Sequence, residues 1–173
     1  MRQRMFMLAV IFLGFASVPM SWAQTVYIGS SDSHTVVLEV RTIKKKSGYI
    51  QVWAEYNDLN ITSKSTSLKA LMRIRCDEEE MATASTVRYS KSHGMGDVIS
   101  SANQDYPSYS PVVPDSIGES ILSFVCAYEA GEPWALEAVK KAVDAAAAAE
   151  SAASAADAAA GGSRNSRVKR DNP

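Results

Sequence analysis

Leu68-Lys69-Ala70-Leu71-Met72-Arg73-Ile74-Arg75-Cys76 decides the fold of this 173-residue chain. Side chains along a strand alternate between its two faces. Leu68, Ala70, Met72, Ile74 and Cys76 therefore share one face, and Lys69, Arg73 and Arg75 the other, with Leu71 the exception. Such alternation predicts a strand with one face in a core and one in water, and it points Cys76 toward the core.

Outward from this strand the same period recurs. Thr35 to Thr42 sets Val36, Leu38 and Val40 against Val37, Glu39 and Arg41. Tyr49 to Tyr56 sets Ile50, Val52, Ala54 and Tyr56 against Tyr49, Gln51, Trp53 and Glu55. Lys44-Lys45-Lys46-Ser47-Gly48 between them has turn chemistry and predicts a hairpin. Thr25 to Ile28 is a short candidate strand, and Asn57 to Ser67 reads as a polar loop. Thr83 to Ser90 and Asp97 to Ala102 predict a further hairpin around His93-Gly94-Met95-Gly96. Sequential antiparallel hairpins dominate the pattern.

After Pro107, Pro111 and Pro114 comes the one core helix. Ser116-Ile117-Gly118-Glu119 fits a capping box, in which a serine hydroxyl and a glutamate carboxylate satisfy free amides at a helix start. Ile117, Ile121, Phe124, Val125 and Tyr128 follow at helical spacing, with Leu122 and Cys126 widening the arc. Ser120, Ser123 and Glu119 lie on the opposite, wetter face.

Both ends differ from this middle. Arg2 and Arg4, the apolar run Met5 to Val18 and Ser21-Trp22-Ala23 form the three parts of a secretory signal, with cleavage expected after Ala23. The apolar run is shorter than the roughly 20 residues a membrane span needs. No transmembrane segment is therefore expected after cleavage. No cysteine stands at the cleavage site, so the chain is expected to be exported and released, periplasmic or secreted, not a lipoprotein. At the other end, 13 of the 19 residues from Ala142 to Ala160 are Ala. High helix propensity predicts a helix from Pro133 that stops at Gly161-Gly162. Leu136, Val139 and Val143 are its expected docking stripe, and the rest is a solvated spacer. Arg164, Arg167, Lys169 and Arg170 make a basic, disordered tail. The organisation expected is thus a signal peptide over 1–23, one domain over 24–130, an Ala-rich helical segment over 131–162 and the tail over 163–173.

The overall charge of −1 conceals this partition, because Gln24 to Gly162 carries −6 between two basic ends. A single small core excludes large multidomain enzymes, coiled coils and collagen-like fibres. In an exported chain with two cysteines on predicted core faces, a Cys76–Cys126 disulfide is the expected pairing. There is no Cys-x-x-Cys, and His34 and His93 have no ligand spacing to either cysteine, so no metal or redox site is expected. Asp77-Glu78-Glu79-Glu80 alternates sides and reads as a solvated turn. Gly94-Met95-Gly96 lacks the rest of a dinucleotide loop, and no Gly-x-Ser-x-Gly elbow is present. No catalytic residue and no cofactor are expected. Asn60-Ile61-Thr62 matches a glycosylation sequon, a triplet common by chance.

Trp53, Met72-Arg73-Ile74-Arg75-Cys76-Asp77, Tyr89, the Gly-containing turn before Val98-Ile99-Ser100-Ser101, and Val113-Pro114-Asp115-Ser116-Ile117-Gly118-Glu119 leading to Val125-Cys126 resemble the surface-adhesin protein E family of Gram-negative bacteria. The resemblance runs from Val26 to Tyr128. It implies an α+β fold: a curved antiparallel sheet of about six strands, one helix packed on its concave face by a disulfide, and here an added Ala-rich C-terminal helix. It further implies a binding module, not an enzyme, whose partner is a protein or a cell-envelope component and not nucleic acid, with a homodimer as a further expectation. Lys44, Lys45, Lys46, Lys69, Arg73 and Arg75 are the candidates for a basic strand face. The competing expectation is a small periplasmic structural or stress protein without a host ligand.

Overall fold

The computed structural model describes residues 24–58 and 66–168, with side chains to 156. The signal peptide expected over 1–23 and the Asn60 sequon lie outside the described residues. Seven strands come first: β1 (Thr25–Ser30), β2 (His34–Lys46), β3 (Tyr49–Asp58), β4 (Ser67–Arg75), β5 (Glu80–Tyr89), β6 (Val98–Asn103) and β7 (Ser110–Pro111). Two helices follow, α1 (Ile117–Ala130) and α2 (Pro133–Val168). β1 to β6 pair in chain order, every pair antiparallel, and the short β7 joins the far end of β5. The class is α+β, with one open sheet.

The alternation in the deciding strand sets its burial. Ala70, Met72 and Ile74 of β4 are buried, and they continue a layer formed by Val36, Leu38 and Val40 of β2 and Ile50, Val52 and Ala54 of β3. α1 closes this layer with Ile121, Phe124 and Val125. The sheet curls around that helix. The Cβ position of Gly29 in β1 lies 3.0 Å from Ile117 Cδ1, while that of the adjacent Gly118 lies 3.2 Å from Met81 Cε of β5. In a flat sheet, strands four places apart stand about 19 Å apart, too far for successive residues to touch both.

Ser116 caps α1 as expected, its hydroxyl accepting from Glu119 N–H at 3.2 Å. The reciprocal half of the box differs. Glu119 Oε2 accepts from Asp115 N–H at 2.8 Å, because Asp115 at φ 58° turns its own amide toward the helix. Gly131 ends the helix in the left-handed region, its N–H reaching the Ala127 and Tyr128 carbonyls. Cys76, just beyond β4, is bonded to Cys126 of α1 with 5.8 Å between Cα atoms, which ties the helix to the strand leading into it.

Three local expectations are corrected. The turn at 44–48 shrinks to Ser47-Gly48, because Gly48 at φ 82° closes it and leaves Lys44, Lys45 and Lys46 to pair with Gln51, Ile50 and Tyr49. β2 takes up the surplus residues in a bulge between Glu39 and Lys44, where Thr42 Oγ1 accepts from Trp53 N–H at 2.9 Å. Of the expected docking stripe Val139 packs on the core and Val143 is half-buried, but Leu136 is 46% exposed, and Ala135, Ala138 and Ala142 join Val139 in its place. Those four positions repeat at i, i+3, i+4 and i+7, and small side chains there let the helix axis approach β1 and α1 closely. The helix also passes Gly161-Gly162 to Val168, since two glycines cost only about 1 kcal/mol each relative to Ala and leave the backbone bonds intact. Among the described residues, no helix is long and apolar enough to cross a membrane.

Candidate binding surface

The face of the sheet away from α1 is built in transverse rows, because the registers align across the strands. One row is Tyr27, Val37, Glu55, Lys69, Val87 and Ser101; the next is Thr25, Glu39, Trp53, Leu71, Ser85 and Asn103. Thr35, Asn57, Ser67 and Tyr89 form a third. Its centre is therefore ionic and polar, flanked by apolar side chains.

Glu55, Asn57 and Ser67 on this face are buried. Removing charges from water is expensive unless they are paired and hydrogen-bonded, and here both conditions hold. Lys69 Nζ donates to Glu39 Oε1 and lies 3.6 Å from Glu55 Oε2. Glu55 Oε1 accepts from Asn57 Nδ2 at 2.8 Å and lies 3.3 Å from His93 Nδ1. Desolvation by itself lowers the pKa of the Lys69 ammonium, but the hydrogen bond to Glu39 and the charges of Glu39 and Glu55 outweigh it and hold Lys69 above its ordinary value.

The cluster fastens the β5–β6 connection, residues 90–97, onto the sheet. Asn57 Oδ1 accepts from His93 N–H at 2.7 Å. Ser67 Oγ accepts from Gly94 N–H at 3.0 Å and donates to the Lys91 carbonyl at 2.6 Å. Gly94 stands at φ 61°, a conformation that favours glycine, and a methyl group there would displace the Lys69 stem from its place beside the carboxylates. The connection is thus set by β3 and β4 as well as by its own turn bonds, among them Ser90 N–H to the Asp97 carbonyl at 2.9 Å and Lys91 N–H to the Met95 carbonyl at 3.1 Å.

The expected basic strand face is largely consumed by such contacts. Lys69 serves the carboxylates. Arg73 lies 5.0 Å from the Tyr49 ring centre, and its Nη1 donates to the Asp105 carbonyl at 3.3 Å. Arg75 lies 3.7 Å over the Tyr109 ring and 3.5 Å from Glu80. Beyond the β2 bulge Lys45 changes face and pairs with Glu129 of α1 at 2.7 Å. Lys44 and Lys46 are exposed. Asp77, Glu78 and Glu79 form an exposed turn. The side chains of the basic tail lie outside the described residues.

What the surface presents instead is the β5–β6 corner. All six residues of β6 are exposed, and the strand forms one edge of the sheet. Natural edges are commonly blunted by charge or proline; Val98-Ile99-Ser100-Ser101-Ala102-Asn103 has neither. Met95, Val98 and Ile99 are large apolar side chains exposed along this corner. Sequence reasoning placed the hairpin but missed the corner, since full exposure of both faces is visible only once the sheet is seen to curl away from β6. Among the described residues, no group of three or more His, Cys, Asp or Glu is arranged to hold a metal ion.

A family model described as surface-adhesin protein E matches residues 24–127. Among solved structures, Haemophilus influenzae protein E is similar at 15% identity over 64% of this chain and 90% of that one, with a TM-score of 0.45. Protein E from non-typeable Haemophilus influenzae is similar at 13% identity over 66% of this chain and 84% of that one, with a TM-score of 0.46. No curated protein sequence matches.

Proposed function

This chain belongs to the surface-adhesin protein E family, and from that premise we propose that it is an exported binding module, without catalysis of its own, that engages a protein partner through its β5–β6 corner. One observation carries the reading: an uncharged edge strand with every residue exposed, Val98 and Ile99 among them, sits beside exposed Met95 on a loop held by hydrogen bonds to Asn57 and Ser67. An open edge offers a partner strand a row of backbone donors and acceptors, and the neighbouring side chains supply specificity. Rigid support lowers the ordering cost of binding. The same edge offers an antiparallel strand to a second copy, which accommodates the expected homodimer.

The experiment compares the exported chain with Ser101→Pro and Ile99→Lys for retention on immobilised extracellular-matrix proteins and on cell-envelope preparations. Loss of retention in both variants, with unchanged circular dichroism, supports the reading; undiminished retention in both rejects it. Fractionation of the producing cell tests the competing role. Protein found solely in the soluble periplasm would favour a structural or stress function over display to a host.

A further inference from the structure

The two helices are fastened in different ways. α1 is tied to the sheet by the Cys76–Cys126 bond and the Lys45–Glu129 ion pair at 2.7 Å, and it buries Ile121, Phe124 and Val125. Among the described residues, no hydrogen bond or ion pair joins the side chains of α2 to the sheet or to α1. Its ion pairs, Glu137–Lys141 and Lys140–Asp144, run along its own exposed face. What holds α2 is Ala135, Ala138, Val139 and Ala142 on the core, and Trp134 set edge-on to Phe124 with ring centres 5.9 Å apart. Even this contact is incomplete, since a cleft of about 370 Å³ remains between α2, α1 and β1, lined by Val26, Ile28, Phe124, Trp134 and Ala138.

A helix that leaves its domain usually melts, because packing of an apolar face supplies most of its stability. α2 differs. It spans 36 residues, 13 of the 19 from Ala142 to Ala160 are Ala, and beyond Val143 the described side chains are exposed apart from Ala146. Ala has the highest intrinsic helix propensity, and α2 is well past the roughly 12–15 residues below which an isolated Ala-rich helix is marginal. Its hinge is unobstructed. Gly131, at φ 80°, carries the bonds that cap α1, and a Cβ there would meet nothing within 4 Å. Only Glu132 stands between it and Pro133, where α2 opens.

From these contrasts we propose that α2 is a hinged strap: it swings off the domain as an intact helix about Gly131-Glu132 and uncovers Val26, Ile28 and Phe124, while the sheet and α1 stay folded. Release parts an apolar contact alone and leaves no buried polar group without its partner, so it costs far less than opening the disulfide-tied core. The strap gates the β1 side of the inner layer, independently of the β5–β6 corner at the other edge of the sheet.

Native-state thiol labelling of the exported chain, with the disulfide intact, tests this. Ala135→Cys puts a thiol at a fully buried position under the strap, and Val52→Cys puts one at an equally buried position on the central strand β3. A maleimide should label the first about a hundredfold faster than the second, at a rate that barely responds to urea below the unfolding transition. Adding Ala138→Glu, which sets a charge against the core, should speed labelling at position 135 about tenfold further, with helical circular dichroism unchanged. The same substitution gives a second readout without an added thiol. In the Trp53→Phe background Trp134 is the single tryptophan beyond residue 23, and Ala138→Glu should move its emission to longer wavelength. Equal labelling rates at positions 135 and 52, or a rate at 135 that follows global unfolding, overturn the proposal. So does Trp134 emission that ignores Ala138→Glu. Loss of helical circular dichroism in that variant overturns it as well, because α2 would then melt rather than swing.

Discussion

Replacing Lys69 with Met tests whether the outer-face cluster is a paired ionic unit. The substitution keeps the stem and removes the charge shared by Glu39 and Glu55, whose side chains are only 15% and 6% exposed, against 24% for Lys69. Removing one partner of a fully buried pair costs about 3–5 kcal/mol, because a charge is left uncompensated. Water reaches a quarter of the Lys69 side chain, so we expect about 2–3 kcal/mol at pH 7, a large part of the ~5–15 kcal/mol typical of a whole domain. The loss should depend on pH in a defined direction. In the variant, a desolvated carboxylate beside a second one titrates higher in the folded than in the unfolded chain. Its favourable contribution is complete below the unfolded value, about 4, and disappears as pH rises through the folded value. Urea unfolding of both proteins with the disulfide intact, at pH 7 and near pH 4, measures this. The gap should narrow at the lower pH, and adding Glu55→Gln to the variant should recover much of the loss at pH 7. A gap below about 0.5 kcal/mol, the level of an ordinary surface substitution, or one of equal size at both pH values, would refute the reasoning.

Two further outcomes follow from the described contacts. Substituting both Cys76 and Cys126 with Ala opens a loop spanning 50 residues, which the chain-entropy model values at about 4 kcal/mol; denaturant midpoints of the two proteins check it, and a loss under about 1 kcal/mol would contradict it. In alkali, Lys69 and the Tyr56 phenol, the latter raised by burial, both hold their protons more tightly in the folded chain than their ordinary values near 10. Stability from both is present below those values and is lost as pH rises through the folded ones, so the unfolding midpoint should stay flat to about pH 10 and then fall, less steeply in Tyr56→Phe.

The strands of the inner layer and the cap of α1 were legible because one residue type at a fixed period determines each of them. Val36, Leu38 and Val40 specify a buried face whichever strand lies beside them. The outer face was not legible, because its chemistry depends on register. Lys69 looked like one member of a basic stripe until pairing set it opposite Glu55 on β3 and within reach of Glu39 on β2. The loop at 90–97 is likewise fixed by Asn57 and Ser67, far away in sequence. α2 docks on alanines beside the expected Val139, because helix approach distance, which the sequence does not state, decides whether Ala135 or Leu136 faces the core. The Cys76–Cys126 bond was readable since two cysteines allow a single pairing.

Because each of β2 to β6 lies against the strand before it, the sheet can assemble in the order in which the chain appears. A polypeptide emerging amino end first can add every new strand to an edge already in place, without threading or waiting for a distant partner, as local topologies of this kind allow. The inner layer nevertheless stays open to water until α1 arrives, and Cys76 stays unpartnered until residue 126 has emerged. During that interval the exposed apolar trough is the vulnerable state. Closing it requires α1, and the disulfide records that α1 has docked.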